Sequence, residues 1–309
     1  MSKLHDLQRI RFDLTSIRLL IATAEQGSVT AAAERMNLAV TAASRRIADL
    51  EDQFGMPLFE RRPHGMALTE GGRCLLAHAR SLMAAVERMH DDALAYGAGG
   101  RGLVRLGVCT SAALQFLPED LRLHQAERPE IVIETEEATS REVLKAVIQG
   151  RAEVGIVERE AVHVPEGLAS RFYRRDRLVL VTHRDHALAA CASVGLQDIL
   201  AHELIGLETG SAVGALLTRL AAQAGMRLRS SVRARSFDTM LAMIQAQLGA
   251  GLVPRAIAQW LAASPAFRRV EIDGDWADRD FVICHRHEPD VSSTCLTVVN
   301  FLARERRAA

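Results

Sequence analysis

The sequence predicts a multidomain α/β chain, with a small helical head, one long helix, and a larger two-part α/β body. Three observations carry this. Residues 14 to 62 hold two helical apolar patterns around a short turn, followed by a break at Gly55 and Pro57 and an arginine pair. Residues 71 to 96 repeat apolar residues by four and three, and from residue 103 short β-rich runs alternate with helical ones.

In the head, Ile17, Leu20, Ile21 and Ala24 recur at helical spacing, and Gly27 stands where a left-handed C-terminal cap belongs. A short helix fits residues 29 to 36 with Ser28 as N-cap, and Ala31, Ala32 and Ala33 leave room for another helix to approach closely. A third helix follows Asn37 and Leu38. It puts Thr41, Ser44, Arg45 and Ala48 on one side and Ala43, Ile47 and Leu50 along a buried stripe. This is the layout of an N-terminal winged helix-turn-helix. Small residues near the helix start, with Ser and Arg to reach base edges and phosphates, suit the DNA major groove.

The stretches GSVTAAAERMNL, SRRIADLEDQFGMPLFERR and ALTEGGRCLLAHAR resemble the LysR-type transcriptional regulators, and the resemblance runs over essentially the whole chain. It implies a recognition helix with its lead-in at residues 37 to 52 and a wing at 57 to 69. Carried over by position, Thr30, Val40, Thr41, Ser44, Arg45 and Arg46 would face double-stranded DNA, with Arg61 and His64 in or beside the wing. Most such contacts reach phosphate and fix register. Where the family usually has a Ser-Gln pair, this chain has Ala39 and Val40. The change removes a bidentate adenine contact and offers Val40 to a thymine methyl.

Bulk charge does not announce a nucleic-acid binder. Lys plus Arg and Asp plus Glu are both 38, and residues 1 to 96 balance as well. A cationic surface has to be local, made by Arg45, Arg46, Arg61 and Arg62, with Glu34, Asp49, Glu51 and Asp52 expected on other faces. Lys3 and Lys145 are the sole lysines, and arginine favours bidentate phosphate and guanine contacts. No apolar run approaches the roughly 18 to 20 residues of a membrane span, and the start MSKLHDLQRIRFD lacks a signal-peptide core. A cytoplasmic protein with no membrane partner is expected. Residues 1 to 12 form an N-terminal arm without an assigned role.

Leu75, Ala79, Leu82, Val86, Met89 and Ala93 form a heptad seam along residues 71 to 96. The seam predicts a linker and dimerisation helix that pairs two heads from residues 13 to 70, as an operator with dyad symmetry demands. GAGGRG at 97 to 102 reads as a hinge.

The body begins with LVRLGV, a helix near 114 to 127, EIVIETEE, a helix from about 140 to 149, and AEVGIVE, a pattern of parallel α/β units. It restarts at RLVLVTH and continues through ELIGLE, a helix at about 211 to 224, VRARS, a helix at about 238 to 248, and GLVP. DFVICHR and a last helix close the chain. Two lobes follow, one from residues 103 to 175 and 277 to 309, the other from 176 to 276. The arrangement is similar to the family's regulatory domain, of periplasmic-binding-protein type.

Ligands of such sheets sit beyond the carboxyl ends of strands, near helix N-termini. Thr110 and Ser111, Thr139 and Ser140, Thr209 and Ser211, and Phe237 land there. The resemblance implies that they contact a small-molecule effector, read as a carboxylate-bearing or similarly polar metabolite. Thr139 and Glu142 also fit a capping box. The family's usual AGLG reads Ala246, Gln247, Leu248, Gly249, a local departure. The resemblance further implies a homodimer, a homotetramer, and RNA polymerase as partner.

Cysteines 74, 109, 191, 284 and 295 are an odd number without CxxC spacing, as in a reduced compartment. Cys109 lies at the expected cleft mouth, which keeps a redox-switched regulator open as an alternative; a solute-binding protein with a helical prefix is another. Cys284, His285, His287 and Glu288 invite a metal reading, but on a strand His285 and His287 share one face while Cys284 points the other way, so solvated strand-end histidines are expected instead. No G-x-S-x-G, Walker loop or HExxH is present. Neither an enzyme nor a cofactor or metal is expected.

Overall fold

The computed structural model describes residues 11–63, 65–97, 102–207, 211–259, 264–287 and 291–304. The chain divides into two compact units, one of residues 1–99 with Gln149–Arg151 and one of residues 100–148 with 152–309.

The first unit contains α1 (Leu14–Gln26), α2 (Val29–Arg35), α3 (Val40–Phe54), β1 (Phe59–Arg62), β2 (Gly65–Leu68) and α4 (Glu70–Gly97). Asp13 caps α1 by accepting from the Ser16 N–H, and Gly27 ends it in the left-handed region at φ 63°. Ser28 caps α2 by accepting from Ala31 N. Ala32, Ala33 and Ala43 have no exposed surface, so α2 and α3 approach without intervening side chains, while Ile17, Leu19, Leu20, Ile47 and Leu50 fill the space between the helices. The antiparallel wing, β1 with β2, is anchored where Met66 N donates to Gly27 O at 2.7 Å. Gly65 is required there, because at φ 126° any Cβ would lie 2.5 Å from that same carbonyl oxygen.

The heptad seam of α4 divides. Leu75 and Ala79 pack into the head core with Leu58 and Phe59. Leu82 is 39% exposed and Met89 68% exposed, and Ala93 is also exposed.

The second unit carries β3 (Gly102–Cys109), α5 (Thr110–Gln115), α6 (Leu117–Glu127), β4 (Ile131–Ala138), α7 (Ser140–Ile148), β5 (Val154–Glu158), β6 (Leu168–His183), β7 (Ser193–Val194), α8 (Leu196–Ala201), β8 (Ile205–Leu207), α9 (Ala212–Gln223), β9 (Val232–Ala234), α10 (Phe237–Gln245), β10 (Gly251–Pro254), α11 (Arg255–Gln259), β11 (Phe267–Ile272), β12 (Asp278–Arg286) and α12 (Ser293–Leu302). The main sheet runs β4-β3-β5-β12-β6-β11-β7, with β10 also on β6. β3 pairs parallel with β4 and β5, as the alternating pattern predicts, but β12 runs antiparallel to both β5 and β6. The first part of β6 pairs with β12 and its last part with β10 and β11, so one strand joins two arms of the sheet. Val104, Leu106, Ile156, Phe281 and Val299 fill the core of the first arm, and Leu178, Leu180, Leu252 and Val270 that of the second.

Several elements differ from the expectation. The helix near 114 to 127 starts earlier and is two helices, divided at Phe116, because Pro118 has no N–H to continue the ladder. The strand read as RLVLVTH begins nine residues sooner, and β7, α8, α11 and β11 were not expected. At the departure from AGLG, Gln247 occupies the left-handed region at φ 62°, with its N–H on Ile244 O and Leu248 N on Met243 O, so the α10 cap keeps its geometry without glycine. The left-handed conformation costs a non-glycine residue roughly 1–2 kcal/mol. Gln247→Gly is therefore expected to raise the stability of the second unit by about 1 kcal/mol, read as an upward shift of its denaturant midpoint; an unchanged or lower midpoint would show that the Gln247 side chain offsets the strain.

Candidate functional site

Two arrangements emerge, one in each unit. In the head, Val40, Thr41, Ser44, Arg45 and Ala48 are exposed on one face of α3, opposite the buried Ala43, Ile47 and Leu50. Thr30 is exposed on α2 and Arg61 on the wing. His64 lies outside the described residues. Arg46 differs from its sisters: its guanidinium donates to both oxygens of Asp13 at 2.9 Å and to Ser16 Oγ at 3.0 Å. It thereby straps the middle of α3 to the start of α1. Arg45 lines a shallow recess with Arg11, Asp49 and Gln53, so Asp49 shares the arginine face rather than lying elsewhere as expected. Nor is Glu51 a bystander. Its Oε1 accepts from Leu58 N at 2.7 Å and Phe59 N at 3.1 Å, joining α3 to β1. Arg62 pairs with Glu60 on the wing.

In the second unit a cavity of about 270 Å³ lies at the carboxyl ends of β3, β4 and β5. Thr110, Ser111, Thr139, Ser140, Ser211 and Phe237 all line it, though they come from four separate stretches of chain. Thr209 lies outside the described residues. The capping box is present: Glu142 Oε2 accepts from Thr139 N at 3.0 Å and Thr139 Oγ1 at 2.8 Å, while Glu142 N donates back to Thr139 Oγ1. Ser211 and Ser236 cap α9 and α10. Helix starts thus point at the cavity because strands ending there turn directly into helices.

Glu137, Glu142, Glu158 and Arg235 also line it, and none was singled out as a site residue. Glu158 carried a signal, since it ends the fully buried run Val154–Glu158 on a charge. Behind it stands Arg279, 1% exposed, which donates to Glu158 Oε2 at 3.1 Å and Ser111 Oγ at 3.2 Å and pairs with Asp176. Gln115 Nε2 adds a bond to Asp176 at 3.3 Å, and Glu158 N donates to Ser140 Oγ at 3.1 Å. Burial pushes the Glu158 carboxyl up, with Arg279 opposing. Removing one member of such a buried set costs about 3–5 kcal/mol, because the others keep their charge without a partner.

Burial pushes the Cys109 thiol up to about 11, so it is protonated at neutral pH and weakly nucleophilic. His285 is 5% exposed, correcting the expectation of a solvated strand-end group; its Nδ1 lies 2.8 Å from Arg286 O. His287 is exposed beyond the end of β12, and Glu288 lies outside the described residues. Among the described residues no group of three or more His, Cys, Asp or Glu could hold a metal ion, and no helix is long and apolar enough to cross a membrane.

A winged helix-turn-helix joined to a two-armed sheet with a cavity at its strand ends defines a ligand-responsive DNA-binding regulator. Residues 14–73 match the bacterial regulatory helix-turn-helix of the lysR family, and residues 97–307 match the LysR substrate-binding domain. The chain belongs to the LysR family and is an effector-controlled, DNA-binding transcriptional regulator. It is 25% identical over 307 residues to a probable cat1 operon transcriptional activator of Acinetobacter lwoffii, covering 96% of each chain. Its fold is similar to that of CbnR, a LysR family transcriptional regulator, with TM-score 0.68, 22% identity, and 95% of this chain and 100% of that one covered. CbnR in complex with its target DNA gives TM-score 0.67, with 23% identity and coverage of 94% and 100%.

The strap on α3 has a pH signature. The Ser16 backbone N–H, then Arg46, hold the Asp13 carboxyl at about 2, below the ordinary 3.8. A depressed carboxyl stabilises the fold above its unfolded pKa, and that contribution disappears as pH falls through the folded value. Asp13→Asn keeps a capping oxygen but loses the charge. The difference in urea midpoint between native protein and variant is expected to be full above about pH 4 and to shrink toward pH 2; a difference independent of pH would exclude the charge as its cause.

Proposed function

We propose that this regulator reads a dyad-symmetric operator with Thr30, Val40, Thr41, Ser44, Arg45, Arg61 and His64. Arg46 serves first to orient α3. The heads, residues 13–70, pair through the linker helix of residues 71–96, where exposed Leu82, Met89 and Ala93 supply an apolar stripe suited to a second copy. Two such dimers form the homotetramer that contacts RNA polymerase. The protein works in the cytoplasm and is not an enzyme.

The effector occupies the cavity between a lobe of residues 103–175 with 277–309 and a lobe of residues 176–276, the two being linked to the head by a hinge at 97–102. Thr110, Ser111, Thr139, Ser140, Thr209, Ser211 and Phe237 contact it, and its carboxylate lies toward the starts of α9 and α10. The carrying observation is the convergence of six of these residues on one cavity. Binding favours the closed cavity and shifts the population of regulator states by the affinity difference between them.

Arg45→Ala is expected to weaken operator binding by roughly 1–3 kcal/mol if the side chain reads a base. Gel-shift titration measures it, and native affinity would remove this helix from the reading role. Ser111→Ala with Ser140→Ala is expected to leave operator affinity intact and abolish the transcriptional response to effector; normal induction in the double variant would move the pocket elsewhere.

A further inference from the structure

Resting on the reading of α3 as the DNA reader, we propose that the segment before α1 is a second DNA contact, in which Arg11, with Lys3 and Arg9 preceding it, binds backbone phosphates flanking the half-site. The sequence assigned this segment no role, yet its end is fastened to α3. Arg11 N donates to Gln53 Oε1 at 3.1 Å, the Phe12 ring lies 5.5 Å from that of Phe54 and packs on the head core, and Asp13 holds Arg46. The Arg11 bond uses only backbone and leaves the side chain exposed, in one recess with Arg45. Among the described residues neither guanidinium forms an ion pair. Arg46 neutralises Asp13 in that recess, so two arginines stand there against Asp49.

The head without this segment is short of cations. Residues 13–70 carry six arginines and no lysine against eight aspartates and glutamates, a net negative charge to bring against a duplex with one phosphate charge per ~1.7 Å. Three of the six, Arg35, Arg46 and Arg62, are moreover paired within the head. Residues 1–12 supply Lys3, Arg9 and Arg11 against Asp6 alone, which restores neutrality. Spacing decides which part of the duplex Arg11 meets. Gln53 lies two helical turns beyond Arg45, roughly 12 Å along the axis at about 1.5 Å per residue. A recognition helix enters the groove by its N-terminal half, and the major groove is about 8.5 Å deep. With Arg45 at the base edges, a cation anchored beside Gln53 therefore stands at the level of the phosphates. Contacts there fix position without reading sequence. Ten residues span at most about 33 Å, so Lys3 and Arg9 can follow the same backbone past the half-site, as the basic arms of homeodomains reach beyond their recognition helix.

The test titrates full-length protein with two duplexes of equal length, one that the native protein selects from a random-sequence pool and one unrelated, over about 50 to 200 mM salt. Arg11→Ala keeps the backbone bond to Gln53 and the Phe12 contact, so the head stays folded. It is expected to reduce the slope of log affinity against log salt by about 0.9 for each head bound. Both duplexes are expected to lose affinity by the same factor, leaving their ratio unchanged. Arg11→Lys is expected to restore the native slope, and Lys3→Ala with Arg9→Ala to lower it as Arg11→Ala does. A native slope in Arg11→Ala or in the Lys3 and Arg9 double variant, a loss confined to the selected duplex, or no rescue by lysine overturns the proposal. Arg45→Ala separates the two levels. If it weakens the selected duplex while Arg11→Ala keeps the native slope, α3 remains the reader and only the second contact is removed. If neither variant changes binding, the reading role of α3 falls as well.

Discussion

The Arg279 guanidinium, sealed from water, ties together four elements of the second unit: β12 through itself, the middle of β6 through Asp176, the end of β5 through Glu158 and the start of α5 through Ser111. Charges in such a place persist only while every partner is present. Arg279 and Asp176 are also direct cross-strand neighbours in the β6–β12 register. The cavity mouth is therefore positioned by desolvated electrostatics as much as by apolar packing. A second cluster repeats the device nearby, where Asp120 accepts from Tyr173 Oη at 2.7 Å and pairs with Arg174 at 2.9 Å.

The head uses exposed versions of the same chemistry. Arg46, Asp13 and Ser16 set the angle between α1 and α3, and Glu51 holds the wing through two backbone N–H groups. Each is weaker than a buried pair because water competes. The apolar contacts of Ala32, Ala33 and Ala43 decide that α2 and α3 pack closely, and the polar ones refine orientation. Of two adjacent arginines, one is committed to the protein and the other faces outward.

Legibility in the sequence followed locality. Gly27, Ser28, the Thr139–Glu142 box and the α3 stripe were readable because each depends on residues within about one or two helical turns. The convergence of Thr110, Ser111, Thr139, Ser140, Ser211 and Phe237 was readable through strand-end topology. The first half of β6 was not. Its segment SRFYRRDR looks like solvated loop, yet Arg174, Arg175, Asp176 and Arg177 find opposite charges at Asp120, Asp280, Arg279 and Asp278, about 54 to 105 positions away. Arg268 and Arg269 hid β11 in the same way. Arg279 itself gives no local sign of burial, since only the partner set makes an interior guanidinium tolerable. The acidic lining of the cavity escaped for a related reason: Glu142 already had a complete explanation as a cap.

The sixteen residues of β6 have a mechanical corollary. Because that strand runs without interruption from one arm of the sheet into the other, the arms share a stiff beam in place of a slack tether, and any rotation between them must be stored as extra twist along hydrogen-bonded backbone. The irregularity opposite Phe281 and Val282 is where the ladder has already yielded. The closure proposed for the cavity would therefore have to flex this strand, as a load flexes a leaf spring.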